Sequence, residues 1–230
     1  MKKKAIKERI LKRIFDLVVS GFLLILLAPV FLLSAILLKL EGLINPSFKG
    51  PIFYKETRIS RGRSFEIYKF RTVNHENLEL LRKSEGKSIT QFTSKCDKRK
   101  YLTPTGAVLA QIYFDELPQL FNIFKGDISM VGPRPHIEAH YQNDLKNGMV
   151  SAKYIKAGML GLVQASKGNP KLRNALARMA SKHNTGNKTM ILIDRLYFQK
   201  YLKAPAIEML FYDIGIMLRC ILVVLQAKGI

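Results

Sequence analysis

The sequence is poor in the residues that build metal centres and disulfide scaffolds. Its 230 residues include two cysteines, Cys96 and Cys220, and four histidines, and neither set shows metal-ligand spacing. The two cysteines do not imply a disulfide, so a reducing, cytoplasm-facing location is the simpler inference. The histidines, which are more simply explained as surface or structural residues, are His75, His136, His140 and His183.

Acidic residues are scarce relative to basic ones. The chain has 17 Asp and Glu against 38 Lys and Arg, which gives a net charge of +21 at pH 7 and a pI near 10.1. This balance requires an anionic partner: nucleic acid, acidic lipid headgroups or a phosphorylated substrate. A hydrophobic content of 48% favours membrane contact over a purely solvated basic protein. No nucleic-acid-binding motif is present, so the sequence predicts no nucleic-acid partner.

One long segment contains no charge at all. Leu17 to Leu38 is a run of 22 residues, enough to cross about 30 Å of hydrocarbon as a helix. A cleavable signal peptide is disfavoured, because the apolar core is too long and no small-x-small cleavage site precedes Lys39. Basic residues flank both ends: Lys2, Lys3, Lys4, Lys7, Arg9, Lys12 and Arg13 precede the run, and Lys39, Lys49, Lys55 and Arg58 follow it.

Pro29 lies in the middle of this run and predicts a kink, because proline lacks a backbone donor and clashes with the preceding turn. A kinked helix that re-enters one leaflet would keep both basic flanks at one anionic surface, where each cation contributes about 1 kcal/mol. A spanning helix would separate them, although spanning helices tolerate proline. The residues alone leave both topologies open.

The soluble part is expected to begin near Gly42, which gives a membrane segment over residues 1–41 and a catalytic domain over 42–230. Ile52–Ile59 and Phe65–Thr72 predict a β-hairpin joined by Ser60–Arg63. Further along the chain the sequence predicts a polar, mobile or partly helical excursion, a basic helix, and an apolar helix that is interfacial or core-packed; these are residues 74–100, 171–183 and 206–226. The fold class is α/β and mostly helical.

The densest cluster of chemically capable residues is Tyr113–Asp127, closely followed by Gly132–Pro135. Apolar residues recur there at helical spacing and predict one buried stripe: Leu117, Leu120, Phe121 and Phe124. Asp115 fits the N-cap, where the partial positive charge of a helix start favours an ionised carboxylate. Two adjacent carboxylates and a nearby arginine between two prolines suit chemistry on a phosphate.

These residues resemble the bacterial sugar transferases, the monotopic phosphoglycosyl transferase family. The family pattern reads roughly Leu-Asp-Glu-Leu-Pro-Gln-Leu-x-Asn-x-x-x-Gly-Asp-x-Ser-x-Val-Gly-Pro-Arg-Pro, and the chain matches almost every fixed position through Pro135. Further matches lie in the basic hairpin (50–55 and 67–72), in residues 156–164, and at Asp194 with Tyr197. The chain departs from the usual residues at Ala110 and Gln111 (Arg-Lys), Ala157 (Pro), Ala28 (Ser) and Leu162–Val163 (Trp-Ala).

The resemblance implies transfer of a phosphosugar from a UDP-sugar to polyprenyl (undecaprenyl) phosphate, with release of UMP, as the first step in making a surface polysaccharide or glycoconjugate. It also implies a re-entrant helix in the bacterial cytoplasmic membrane, in contact with anionic lipids, and a catalytic domain facing the cytoplasm. The family match assigns Asp115 as nucleophile, Glu116 as the Mg²⁺ ligand and Arg134 as the phosphoryl contact. Secondary substrate-binding candidates are Lys69, Arg71 and Asp194.

Two alternatives remain open at the level of sequence. A catalytically decayed membrane scaffold of the same family would explain the lost cations at Ala110 and Gln111, and a basic nucleic-acid-binding membrane protein would explain the charge. The sequence does not identify the sugar or the glycan, and it leaves open whether the chain forms a homodimer.

Overall fold

The computed structural model describes residues 6, 8–74, 101–167, 174 and 188–225. Most of the predicted polar excursion and of the predicted basic helix lies outside the described residues. The chain divides into two compact units. The terminal unit comprises residues 1–20, 58–65 and 123–230, and the central unit comprises residues 21–57 and 66–122.

The described chain is mostly helical, with two small sheets. In chain order the helices are α1 (Ile10–Leu26), α2 (Ala28–Ile44), α3 (Pro104–Gln111), α4 (Gln119–Lys125), α5 (Glu138–Lys146), α6 (Ser151–Tyr154), α7 (Leu162–Lys167), α8 (Lys188–Lys203) and α9 (Ala206–Leu225). The strands are β1 (Phe53–Ser60), β2 (Arg63–Phe70), β3 (Ser129–Val131) and β4 (Gly158–Leu160). The predicted mostly helical fold with a short hairpin is confirmed.

The apolar run is broken where proline predicts a kink. Helix α1 ends at Leu26, and α2 begins at Ala28 with Pro29 in its first turn. The two axes differ in direction by 56°. Within the described residues, no helix alone has the length and apolar character of a membrane span; α1 and α2 meet that criterion only as a bent pair.

The hairpin follows from its sequence. Arg61 and Gly62 both adopt positive φ, 53° and 69°, which is the conformation of a two-residue turn matched to strand twist. The observed strands lie within two residues of the predicted ones. β1 and β2 form one two-stranded sheet.

In the central unit, the core is an apolar cluster between α2 and the hairpin. Leu38, Phe70 and Leu109 are at most 5% exposed and form its centre. Helix α3 packs against α2 and approaches the end of β2 so closely that a Cβ on Gly106 would lie 2.3 Å from the Thr72 carbonyl oxygen. Thr103 caps α3, because its hydroxyl accepts from the Gly106 N–H at 2.9 Å.

In the terminal unit, β3 pairs in parallel with β4, with Ser129 opposite Gly158 and Val131 opposite Leu160. Helix α9 covers this sheet and buries residues at helical spacing: Met209, Asp213, Ile216, Cys220 and Val223. Its opposite face exposes Ile207, Phe211, Leu218 and Leu222. The helix predicted over residues 206–226 is therefore present, with one core-packed face and one exposed apolar face.

The predicted buried stripe of α4 is wrong. Leu120 and Ile123 are buried, whereas Phe121 and Phe124 are 43% and 50% exposed. The reason is that the face of α4 that packs inward also carries the buried polar residues Gln119 and Asn122, so an apolar stripe does not mark it.

Candidate active site

The Asp115–Glu116 carboxylate pair lies in a strained connection between α3 and α4. Tyr113 lies two residues after the end of α3 and has φ 61° and ψ 17°, the left-handed region that non-glycine residues rarely adopt. Asp115 and Glu116 come next, in the 3-10 turn Phe114–Glu116. Strain of this kind persists where surrounding structure enforces it and often marks functional segments.

Lys69 is brought to this turn from strand β2. Its Nζ donates to Glu116 Oε1 at 2.7 Å, and both side chains are about four-fifths buried, with exposures of 17% and 21%. An ion pair at this depth is shielded from salt more than a surface pair. Lys69 and Glu116, two of the predicted site residues, are therefore in direct contact.

The carboxyl of Asp115 is perturbed by its surroundings. Burial raises its pKa from 3.8 to about 6; Lys69 opposes this rise and Glu116 adds to it. The sequence analysis expected a helix start to favour the anion, but Asp115 is not the N-cap of α4. Desolvation dominates instead, and the carboxylate is ionised only above about pH 6.

Asn122 fixes the position of α4 against strand β2, and sequence reasoning gave it no role. Its side chain is fully buried, donates to the Glu66 carbonyl at 2.7 Å and accepts from the Tyr68 N–H at 3.0 Å. Tyr68 immediately precedes Lys69. The signal that could have identified it is a polar amide, matching the family pattern, in an otherwise apolar helix.

Arg71 is fully buried, whereas an arginine that binds substrate needs an accessible guanidinium. Its guanidinium donates to three backbone carbonyls, those of Phe48, Pro51 and Val73, at 2.7 to 2.9 Å. Burial lowers its pKa, and the nearby Glu41 carboxylate opposes that shift. Arg71 thus ties the segment after α2 to the end of β2. Its contact with substrate stays a prediction.

Arg134 belongs to the terminal unit, on a loop that follows β3. Gly132 has no space for a side chain, since a Cβ would lie 2.8 Å from the Gly158 nitrogen and from the Lys156 carbonyl oxygen. Backbone bonds hold both sides of the loop: Gly132 N–H to Leu160 O at 2.9 Å, and Gly158 N–H to Pro133 O at 2.8 Å. Arg134 is exposed on this rigid loop.

Asp194, also in the terminal unit, faces protein groups. It is 9% exposed and accepts from the Ser151 hydroxyl and, at 3.4 Å, from the Ser151 N–H at the start of α6. Burial raises its pKa, while these bonds oppose the rise. Its role in substrate binding likewise stays a prediction.

The departure at Ala157 has a structural explanation. Its N–H donates to Ser60 Oγ at 3.1 Å, and Ser60 in turn donates to the Asp127 carbonyl at 2.6 Å. A proline at this position would have no N–H to contribute.

Sequence reasoning also missed a buried polar network around β3. Lys12, Asp16, Tyr197 and Asp213 are each at most 8% exposed and are linked to one another or to the backbone of β3. Lys12 and Asp16 lie beside one apolar segment, and Asp213 interrupts another, as charged residues commonly do. No local pattern therefore identified the network.

A magnesium ion was predicted at Glu116. Among the described residues, no group of three or more His, Cys, Asp or Glu side chains is arranged to hold a metal. Mg²⁺ commonly takes one or two protein carboxylates and completes its shell with substrate phosphates and water. The Glu116 carboxylate fits that mode of binding, in which the protein supplies few of the ligands.

Residues 7–227 match the family model for bacterial sugar transferases, and the chain belongs to that family. It is 30% identical over 224 residues to the exopolysaccharide production protein ExoY of Rhizobium meliloti, covering 95% of this chain and 87% of that protein. It is 35% identical over 158 residues to the UDP-glucose:undecaprenyl-phosphate glucose-1-phosphate transferase of Caulobacter vibrioides, covering 66% of this chain. It is 29% identical over 233 residues to the undecaprenyl-phosphate galactose phosphotransferase of Salmonella typhimurium, covering 96% of this chain. The aligned regions cover only 52% and 42% of the last two relatives.

Proposed function

We propose that this protein transfers a sugar phosphate from a UDP-sugar to polyprenyl phosphate and releases UMP, as the first step in assembling a surface glycan. The observation that carries the proposal is Asp115, a half-buried carboxylate with its pKa raised to about 6, next to the Lys69–Glu116 ion pair. The names of the Caulobacter and Salmonella relatives, which specify undecaprenyl phosphate, support the acceptor class.

In the proposed reaction, the Asp115 carboxylate attacks the β-phosphorus of the donor. The bond from that phosphorus to the oxygen bridging the two phosphates breaks, and UMP leaves with that oxygen. An oxygen of the polyprenyl phosphate then attacks the same phosphorus and displaces the Asp115 carboxylate unchanged. The product is a polyprenyl diphosphate sugar, and no proton has to be removed from Asp115 above about pH 6.

Lys69 serves two purposes in this proposal. Its charge favours the ionised form of Asp115, and its bond to Glu116 orients that carboxylate. Glu116 would hold Mg²⁺, which when bound neutralises charge on phosphate oxygens. Lys69 thereby keeps the nucleophile anionic in a site whose burial opposes that charge.

Arg134 is the proposed protein contact for the donor phosphates. A planar guanidinium offers paired donors to phosphate oxygens, and the rigid Gly132–Pro135 loop fixes the backbone from which it extends. Arg71 and Asp194 are committed to protein groups, so we assign them supporting roles: Arg71 holds the strand that carries Lys69, and Asp194 caps α6.

We further propose that α1 and α2 form a re-entrant helix in the cytoplasmic leaflet of the bacterial inner membrane. The 56° bend supports this topology, as does the apolar surface of α2, where Leu33, Leu40, Leu43 and Ile44 are 47% to 85% exposed. An anchor at this depth would bring the lipid phosphate and Asp115 to the same level.

Purified, detergent-solubilised protein incubated with undecaprenyl phosphate, Mg²⁺ and a panel of UDP-sugars should release UMP with at least one donor. Asp115→Asn serves as the matched control and should release none. Absence of UMP with every donor would favour the decayed-scaffold alternative, and binding of RNA or DNA in the same preparation would favour the nucleic-acid alternative.

A further inference from the structure

Helix α1 carries a stripe of buried polar side chains on an otherwise apolar surface. Lys12, Asp16 and Ser20 recur every four residues and are 8%, 1% and 0% exposed. This spacing places them on one face of the helix. A buried charged stripe is unusual, because charged groups are seldom buried without partners.

Both charges of the stripe reach strand β3. Asp16 accepts from the Ser129 hydroxyl at 2.7 Å and from the Met130 N–H at 3.0 Å. Lys12 donates to the Val131 carbonyl at 2.8 Å. Three consecutive residues of β3 are therefore held by the first two turns of α1.

Two further elements complete the network. Lys12 forms an ion pair of 2.5 Å with Asp213 on α9. The Tyr197 hydroxyl, on α8, lies 3.0 Å from Asp213 Oδ1 and 3.1 Å from the Val131 carbonyl oxygen. The Val131 carbonyl is thus fixed from two sides, and the next residue, Gly132, begins the Arg134 loop.

Stability alone does not account for these charges. Well-packed apolar residues often stabilise a protein as much as a buried ion pair does, so what the charged groups add is directional geometry. That geometry is applied immediately before the loop that presents Arg134. Small displacements of a phosphate-binding group have large effects on transfer reactions.

The basic residues beside the stripe are also committed to protein carbonyls. Arg9 donates to the carbonyls of Tyr201 and Ala204 at the end of α8, and Arg13 donates to those of Ile123 and Phe124 at 2.6 and 2.7 Å. Helix C-terminal carbonyls favour such cations. Arg9, Lys12 and Arg13 therefore all bond protein groups, and contact of the basic flank with lipid headgroups stays a prediction.

We propose that Lys12 and Asp16 are positioning residues for the Arg134 loop, so that the first turns of the membrane-segment helix set the place of the phosphate contact. The proposal rests on the proposed function, because it assigns Arg134 to the donor. Neither residue touches substrate; both act through the backbone of β3.

The test compares Asp16→Asn with Ser20→Ala in the full-length protein. Ser20 lies on the same buried face, but its hydroxyl bonds only within α1, to the Asp16 and Leu17 carbonyls. We expect Asp16→Asn to lower kcat/KM for the UDP-sugar by about tenfold or more. Ser20→Ala should stay within about twofold of wild type.

A double-mutant cycle separates positioning from general destabilisation. If Asp16 acts through Arg134, Asp16→Asn should cost less than about twofold in an Arg134→Gln background. An equally large loss in both backgrounds, or no loss in either, would overturn the proposal. If Asp16→Asn does not fold, Lys12→Met with Asp213→Leu removes both paired charges and replaces it in the cycle.

Titration calorimetry with UDP keeps this proposal distinct from the proposed function. We expect Asp16→Asn to raise the Kd for UDP in the wild-type background but not with Arg134→Gln, at unchanged stoichiometry. Wild-type UDP binding without UMP release would contradict the proposed function alone, and the binding cycle would still decide the positioning role. An unchanged Kd in Asp16→Asn, or no UDP binding by wild type, would overturn the positioning role.

Discussion

Replacing Asp115 with asparagine should abolish turnover and at the same time stabilise the fold at neutral pH. Burial raises the pKa of Asp115 to about 6, from an ordinary 3.8. The folded chain therefore binds a proton more readily than the unfolded chain, and stability falls as pH rises through this window. Asparagine has nearly the same shape and no charge, so the substitution removes the free-energy cost of burying the ionised carboxylate.

The size of the effect follows from the shift. A rise of about two pKa units corresponds to about 3 kcal/mol as an upper bound. Because solvent still reaches part of the side chain, we expect a gain of about 1–2 kcal/mol at pH 7.5. For a chain of this length that corresponds to an increase in Tm of roughly 2–8 °C. At pH 4.5 only about a third of the gain should remain, since the folded wild type is then largely protonated.

Thermal unfolding of detergent-purified protein with a chelator measures the gain in Tm at pH 7.5 and the part of that gain that remains at pH 4.5. Glu138→Gln is the control: it removes one negative charge from an exposed position on α5 and should change Tm little at either pH. An Asp115→Asn variant less stable than wild type at pH 7.5, or equally stabilised at both pH values, would refute the reasoning. So would substantial turnover by that variant.

Three other outcomes are expected. Lys69→Met removes the cation that favours ionised Asp115, so the acidic limb of the pH profile of kcat/KM should move from about pH 6 to higher pH; an unmoved limb would contradict the assignment. Ala110→Arg should change the donor KM by less than about tenfold if other basic residues compensate for the missing family cation, and a larger gain would show an impaired donor site. Cysteines placed at Ile6 and Lys49 should both react with an impermeant reagent only from the cytoplasmic side, whereas reaction from opposite sides would reject the re-entrant topology.

Local sequence patterns predicted the structural elements that neighbouring residues determine. The hairpin follows from alternating residues around Arg61–Gly62, and the break between α1 and α2 follows from Pro29. The face of α4 was mispredicted, because its inward face carries the polar residues Gln119 and Asn122, which a pattern of apolar residues does not mark.

The candidate site was predictable as a set of residue types, but the partners of those residues were not. Glu116 and Lys69 are 47 residues apart in sequence, and Lys12 and Asp213 are 201 apart. Burial of Arg71 depends on three backbone carbonyls. Those of Phe48 and Pro51 precede the hairpin, and that of Val73 follows it. Such contacts are set by tertiary packing, which periodicity and spacing do not encode.

The central claim is that Asp115 carries the phosphosugar during transfer. The enzyme should be mixed with its UDP-sugar in the absence of polyprenyl phosphate, digested with trypsin and analysed by mass spectrometry. Cleavage after Lys100 and Lys125 releases residues 101–125, in which Asp115 and Glu116 are the only acidic residues. We predict a mass increase of one phosphosugar on this peptide, localised to Asp115 by fragmentation and absent from Asp115→Asn. An adduct on Glu116 or on another peptide, or UMP release by an enzyme that forms no adduct, would contradict the account.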